Sequence, residues 1–362
     1  MTTPPTPLWE LEPHTKAKHA ILSEYLKAWF PILGRNNTKL GYIDGFAGPG
    51  RYQQGEPGSP LIALDIASKA NISAKILFQF VEEDKERFAH LKNEIHNLNR
   101  PPSFDISLEN ESFAKILSSI LDYLEKNHFT PAPIFAFIDP FGFKDVPFSL
   151  IQRLLSFNKC EVFINFMIDS TNRWLEHPKD GIRGQIYELL GSSDINSIIE
   201  SDNRKAALQR AYEEKLKSVA TFVLPFEMRN KKDRTQFFLF FASNHRLGHI
   251  KMKEAMWRID KDGEFSFSDA SYRQQLLFQD FNLEQKIRGL LSEIFQNFTG
   301  QTVPCKSIQT FVEDKTIFLK PHMGNALKIA EEEGKIFVEP YKSDGKKRRK
   351  NTFPEDSVIK FC

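Results

Sequence analysis

The 362-residue chain has few cysteines, and Cys160, Cys305 and Cys362 stand nowhere near the spacing of a zinc site or a redox pair. No disulfide framework and no metal site are expected, and Cys160, against a strand-like run, reads as a small core residue. No apolar run approaches the roughly 20 residues that cross a bilayer, and the opening MTTPPTPLWELEPH lacks the layout of a signal peptide. A cytoplasmic location without membrane contact is the expectation. Charge of one sign is also lacking: 49 basic against 47 acidic residues leave +2, which by itself identifies no partner. Two phosphate-binding patterns are missing as well. There is no G-x-G-x-x-G and no Lys-Ser or Lys-Thr at a helix start, which weakens P-loop and dinucleotide readings alike.

What is present is a cluster of glycines behind a short strand. Leu40 to Ala63 reads LGYIDGFAGPGRYQQGEPGSPLIA. The apolar run Leu40 to Ile43 breaks at Asp44 into a loop carrying Gly45, Gly48, Gly50, Gly55 and Gly58. Ser59-Pro60 then opens a helical pattern, with serine as N-cap and proline at the first helical position. Strand, glycine-rich loop and helix form the crevice where nucleotide-like ligands sit in an α/β sheet, and glycine lets the backbone approach such a ligand closely. An acid at the strand end repels phosphate and suits a ligand with positive charge or hydroxyl donors. S-adenosylmethionine (SAM) has both, an ammonium with a sulfonium and a ribose. The plain alternative is a tight connecting loop with Asp44 as a capping acid. So many glycines in so short a span favour a ligand site, with Asp44, Gly45, Ala47, Gly48, Gly50 and Ser59 as its cofactor residues.

Strands and helices alternate around this stretch. His14 to Leu33 has Ile21, Leu22, Tyr25, Leu26, Trp29 and Phe30 at helical spacing. Ile76 to Val81 reads as a second strand, ending in Glu82-Glu83-Asp84. A carboxylate there accepts from both ribose hydroxyls of an adenosine ligand. Glu82 takes that role, while Glu83 and Asp84 favour the dipole of the next helix, Lys85 to Leu98. Phe104 to Leu108 is a weaker third strand. Ile134 to Ile138 is apolar throughout, as in a central strand covered on both faces, and ends in Asp139-Pro140-Phe141-Gly142-Phe143. Val162 to Met167 follows a helix over Pro147 to Phe157 as another buried strand. The alternation predicts an α/β fold with a doubly wound, Rossmann-like sheet over residues 1–274. A helical insertion is expected at 168–220, with the sheet resuming at Phe237 to Phe241.

Residues 275–362 read as a second domain. Helical patterns at Leu283 to Phe298, Ser307 to Glu313 and Gly324 to Glu333 precede strand-like runs at Lys335 to Glu339 and Val358 to Phe361. The two runs flank Lys346, Lys347, Arg348, Arg349 and Lys350. Three helices and a hairpin with a basic tip suggest a winged-helix-like domain whose wing meets the phosphates of RNA or DNA. A solvated turn is the plain alternative for such a run.

The segment DGFAGPGRY followed by GSPLIA resembles the three-Cys-motif partner protein family (TcmP). More distantly it is similar to bacterial ribosomal-RNA adenine-N6 methyltransferases carrying D-x-x-A-G-x-G-R-Y and P-G-S-P-L-I-A. The TcmP resemblance covers most of the chain and implies a partner, a three-Cys-motif protein that itself resembles radical-SAM enzymes. Similarity to the ribosomal-RNA enzymes implies that Lys18 and His19 face the cofactor and that Glu111 lies near the adenine amino group. Helix capping is an equally good reason for Glu111. Asp139-Pro140-Phe141 is similar to the Asp/Asn-Pro-Pro-aromatic motif of methyltransferases that act on exocyclic base amines, with Phe141 and Gly142 departing from it. The resemblance implies Asp139 as acceptor of an amine N–H, the Pro140 carbonyl as its partner and Phe141 or Phe143 as the ring that stacks on the base. Such stacking aligns nitrogen and methyl for attack.

The resulting expectation is a SAM-dependent methyltransferase acting on a base amine of nucleic acid beside a three-Cys-motif protein. A non-catalytic scaffold that keeps the fold and binds nucleic acid is the rival, favoured by the departure from Asp-Pro-Pro-aromatic. A nucleotide-dependent oxidoreductase is disfavoured by the missing dinucleotide pattern.

Overall fold

A strand whose residues are apolar at every position has to be covered on both faces, and such strands occupy the middle of the sheet. The computed structural model describes residues 6–192, 195–260, 264–269, 279–339, 345 and 347–361. Ile134–Ile138 forms β4 and Cys160–Phe166 forms β5, both buried along their whole length. Beside β4 lies β1 (Lys39–Asp44), followed outward by β2 (Lys75–Val81) and β3 (Phe104–Glu109), all parallel. Beyond β5 lie β7 (Thr235–Ser243), β6 (Phe222–Arg229) and β8 (Ser266–Ser268). The order is β3-β2-β1-β4-β5-β7-β6-β8, with β7 antiparallel to both β5 and β6. This is the methyltransferase form of the Rossmann-like sheet.

The chain leaves β1 toward β2 and β3 and later returns to β4 on its other side, so a topological switch point lies between β1 and β4. Ligands bind beyond the carboxyl ends of strands at such a point. Asp44 is level with Phe80 of β2 and with Phe137 of β4. Glu82 and Asp139, each two residues further on, therefore emerge at the same edge as Asp44.

Helix α1 (Pro13–Gly34) covers one face and is tied to the sheet by a buried carboxylate. Glu161 of β5 accepts from the Tyr25 hydroxyl at 2.6 Å, Trp29 Nε1 at 2.9 Å and the Ser243 hydroxyl at 2.7 Å. Burial raises its pKa, and these donors oppose the rise. The anchor fixes the axial position of α1, which carries Lys18 and His19 to the site.

Two expectations change on inspection. Helix α2 (Ser59–Lys69) has Gly58 as N-cap, and Ser59 is its first helical residue with no capping bond. Between β5 and β6 lie α6 (Ile168–Trp174), α7 (Asp180–Leu190), α8 (Asn196–Ile199) and α9 (Arg204–Lys217). Leu208, Tyr212 and Leu216 of α9 are fully buried in the core formed with β4 and β5, and Tyr212 stacks on Phe166 with centroids 4.4 Å apart. The C-terminal part of the expected insertion is thus a crossover helix that covers the sheet.

The chain divides into two compact units, Met1–Ala255 with Ser266–Ala270, and Met256–Phe265 with Ser271–Cys362. The expected boundary at Gln274 lies outside the described residues. Within the second unit, α11 (Gln279–Phe298), β9 (Thr302–Pro304), α12 (Cys305–Lys315), α13 (Lys320–Glu332), β10 (Ile336–Val338) and β11 (Val358–Phe361) follow in order. The strands form an antiparallel sheet in the order β10-β11-β9. No described helix is long and apolar enough to cross a membrane.

Candidate functional site

The glycine loop after β1 is shaped by backbone that only glycine adopts cheaply. Gly48 and Gly50 have φ of +64° and +86°, the left-handed region that costs other residues roughly 1–2 kcal/mol. The turn brings the Gly48 amide to Glu82, whose Oε2 accepts it at 2.8 Å. Oε1 of Glu82 accepts the Asp84 amide at 2.9 Å. Asp84 itself caps α3 (Lys85–His96), accepting from the Glu86 and Arg87 amides. The acids after β2 therefore divide their work: Asp84 serves the helix and Glu82 faces the loop. Burial raises the Glu82 pKa against the pull of these two amides.

Asp44 is completely buried. Its Oδ1 accepts the Phe46 amide weakly at 3.4 Å, and its Oδ2 has no partner among the described residues. Burial pushes its pKa up to about 7, partly offset by the Ser59 hydroxyl and the Phe46 amide. The cap position of α2 falls to Gly58, and Ser59 makes no capping bond.

Asp139, just past β4, is held on both oxygens. Lys18 Nζ lies 2.5 Å from Oδ2, and Asn165 Nδ2 donates to Oδ1 at 2.7 Å. His19 is buried beside Lys18, with Nε2 3.5 Å from the Tyr52 hydroxyl. Burial and the Lys18 charge lower its pKa to about 3, so its ring is neutral at pH 7.

Apart from Asp44, which is buried behind the glycine loop and lines neither, these groups surround two cavities. One, of about 400 Å³, is lined by Lys18, His19, Ala47, Gly48, Gly50, Ser59, Asp139, Pro140, Phe141 and Asn165, among others. The other, of about 690 Å³, is lined by Gly45, Glu82, Glu111, Phe113, Phe141 and Phe143, among others. They share Phe46, Pro140 and Phe141. Both volumes lie in the range of about 300–1,000 Å³ usual for small-ligand sites. The structure thus brings the residues of the glycine loop together with Lys18, His19 and Asp139, and Glu82 together with Glu111. Glu111 does not cap the helix Phe113–Lys126, whose cap position is Ser112 without a side-chain bond: half-buried, it accepts the Ser112 amide at 3.1 Å and pairs with Lys115. Phe143 is buried in the core with Val146 and Phe148 and lines only the larger cavity, so Phe141 is the ring nearer Asp139.

Several site residues escape the sequence reading. The Arg87 guanidinium lies over the rings of Trp9 and Phe141, 5.0 and 5.1 Å from their centroids. Trp9 also meets Tyr52 edge-on at 5.7 Å, and its carbonyl accepts the Gln53 amide. A lone tryptophan in a proline-rich stretch offers no pattern to read. Asn165 did offer one, as an amide between Ile164 and Phe166 in a buried strand, where a polar group needs a reason.

The basic run does not act as one group. Lys346 lies outside the described residues. Lys347, Arg349 and Lys350 are exposed, whereas Arg348 is drawn inward by Glu331 of α13, with side chains only 7% and 14% exposed. Arg348 also donates to the Thr352 carbonyl at 3.0 Å. The expectation of five cations at a tip therefore fails at Arg348, which holds the segment to α13. Among the described residues no group of His, Cys, Asp and Glu is placed to bind a metal ion.

A scan of protein-family models matches none, and a search of curated proteins finds no match. Among solved structures the chain is similar to a Legionella pneumophila protein of the DUF519 family, at 13% identity over 63% of this chain and 84% of that one, with a TM-score of 0.40. It is similar to the O-methyltransferase TomG of Streptomyces achromogenes, at 12% identity over 66% and 92%, with a TM-score of 0.36. For an O-methyltransferase of Bacillus cereus the values are 11%, 61%, 80% and 0.34. Likenesses of this size carry nothing about the site, and the fold rests on the strand order.

Proposed function

We propose that the chain is a SAM-dependent methyltransferase that acts on a base amine of nucleic acid, beside a three-Cys-motif partner. The observation that carries the cofactor reading is the trio of carboxylates, Asp44, Glu82 and Asp139, at the ends of β1, β2 and β4 around one glycine loop. A phosphate ligand would meet three carboxyl groups there. A ligand with a cationic end and a ribose has a use for each. The buried Oδ2 of Asp44, without a partner, and the backbone cradle of Gly48 and Gly50 are consistent with SAM. Glu82 retains lone pairs for ribose hydroxyls, since each oxygen accepts only one amide.

SAM supplies a methyl group on a positively charged sulfur, open to attack by nitrogen. Asp139 and the Pro140 carbonyl hold the amine N–H groups, which turns the nitrogen lone pair toward the methyl carbon. A nitrogen held there would take the methyl from SAM as the S–C pair goes to sulfur, and Asp139 would accept the proton that the methylated nitrogen releases. Phe141 stacks on the base and sets the line of attack. For a duplex substrate the base has to be flipped out. The second unit, with α11, α12 and α13 and the three-stranded sheet of β10, β11 and β9, is read as a winged-helix-like module in which Lys347, Arg349 and Lys350 meet phosphates.

The scaffold reading keeps one observation in its favour: both oxygens of Asp139 are already engaged by Lys18 and Asn165. The test is transfer of tritiated methyl from SAM to RNA and DNA, with and without the partner. An enzyme loses transfer on Asp139→Ala while still assembling with its partner. A scaffold shows no transfer in any combination.

A further inference from the structure

Asn165 has one polar atom that the fold explains and one that it does not. Its Nδ2 donates to Asp139 Oδ1 at 2.7 Å. A carboxylate accepts and does not donate, so the amide has to turn its N–H groups that way. Oδ1 is thereby left facing elsewhere as an acceptor, and it is buried with no partner among the described residues. The side chain, 4% exposed in all, lines the same cavity as Asp139, Pro140 and Phe141. A buried carbonyl oxygen with nothing to accept is uncommon and asks for a ligand donor.

We propose that Asn165 Oδ1 is the second acceptor of the amine site. Resting on the base-amine reading above, this keeps one N–H of the substrate on Asp139 and gives the other to Asn165 in place of the Pro140 carbonyl. The substrate class follows: an unsubstituted amino group, which fills both acceptors while its nitrogen attacks, on an aromatic ring that stacks on Phe141 of the same cavity. A hydroxyl or an already methylated amine has one donor and leaves an acceptor empty, which is how sites built on buried polar groups discriminate.

The test uses the full chain with tritiated SAM and three probe polymers: poly(A), poly(C) and poly(A) methylated at N6. The wild type is expected to prefer one unmethylated polymer over the N6-methylated one by about 100-fold. Asn165→Leu, an apolar residue at home in this strand, should lower kcat by about 100-fold, shrink that preference to under about 10-fold and leave SAM affinity within about twofold. Asn165→Thr, whose hydroxyl both donates and accepts, should recover part of the loss. A residue that merely positions Asp139 would lower kcat without touching the preference, and that result overturns the proposal. So does an Asn165→Leu protein that loses SAM affinity, since the amide would then serve the cofactor. A wild type that binds SAM but methylates neither poly(A) nor poly(C) counts against the base-amine reading itself, and the proposal falls with it.

Discussion

Asp44 is a carboxylate whose charge depends on what sits beside it. Buried and short of partners, its pKa stands near 7 where an ordinary aspartate has 3.8. A raised carboxylate pKa stabilises the fold at low pH, and that contribution is lost as pH rises from about 4 through 7. A cationic ligand on Asp44 reverses the balance by favouring the ionised form. SAM binding should therefore release a proton near neutral pH, and affinity should rise with pH up to about 7 and level off above it. Calorimetry in buffers of different ionisation enthalpy reads the proton directly; uptake, or no exchange at about pH 6.5, would separate Asp44 from the ligand. On the base-amine proposal, Asp139→Ala should lower methyl transfer by on the order of 10³-fold with SAM affinity kept, because Asp139 would hold the amine and not the cofactor. A loss confined to SAM binding would place Asp139 in the cofactor site instead.

At the scale of single elements, the glycine loop and the basic run give opposite lessons. Gly48 needs φ of +64°, so Gly48→Val should destabilise by roughly 1–2 kcal/mol and misplace the amide that Glu82 accepts. Thermal unfolding and SAM titration of one variant check both effects. In the basic run the buried pairing of Arg348 with Glu331 predicts that Arg348→Ala costs about 3 kcal/mol, read as faster amide exchange in α13. Changing Lys347, Arg349 and Lys350 together to alanine should leave stability alone. It should flatten the salt dependence of duplex binding by about 0.9 in log–log slope for each phosphate no longer neutralised. An unchanged slope would remove the wing from the nucleic-acid surface.

Legibility differed by element for physical reasons. Ile134 to Ile138 announced β4 because a strand buried on both faces has no polar position to confuse it. Strand β6 stayed hidden: Phe222–Arg229 alternates buried and half-buried residues, and Pro225, Glu227 and Arg229 break up the pattern. Its place is set by pairing with β7, which no local window shows. The site divides similarly. Asp44, Glu82 and Asp139 could be placed because each follows directly on a readable strand. Trp9 and Arg87 reach Phe141 only through the fold, and Ser59 lies one residue inside α2 because Gly58 takes the cap position.

In the whole molecule, the sheet order delivers three carboxylates from three adjacent strands to one edge, while the Glu161 anchor sets α1 so that Lys18 meets Asp139. Glu161→Gln should loosen α1 and disturb the Lys18–Asp139 pair from the far end of β5, lowering transfer along with thermal stability. A stability loss with full transfer would show that α1 is held well enough by packing alone. The central claim, that this edge is a SAM site, is tested most directly by calorimetric titration of SAM into the full-length protein and its Glu82→Ala variant. The account predicts saturable binding by the wild type and at least about tenfold weaker binding by the variant, the loss expected for hydrogen bonds to a charged acceptor. Absence of binding by the wild type, with and without nucleic acid and the partner, would contradict it.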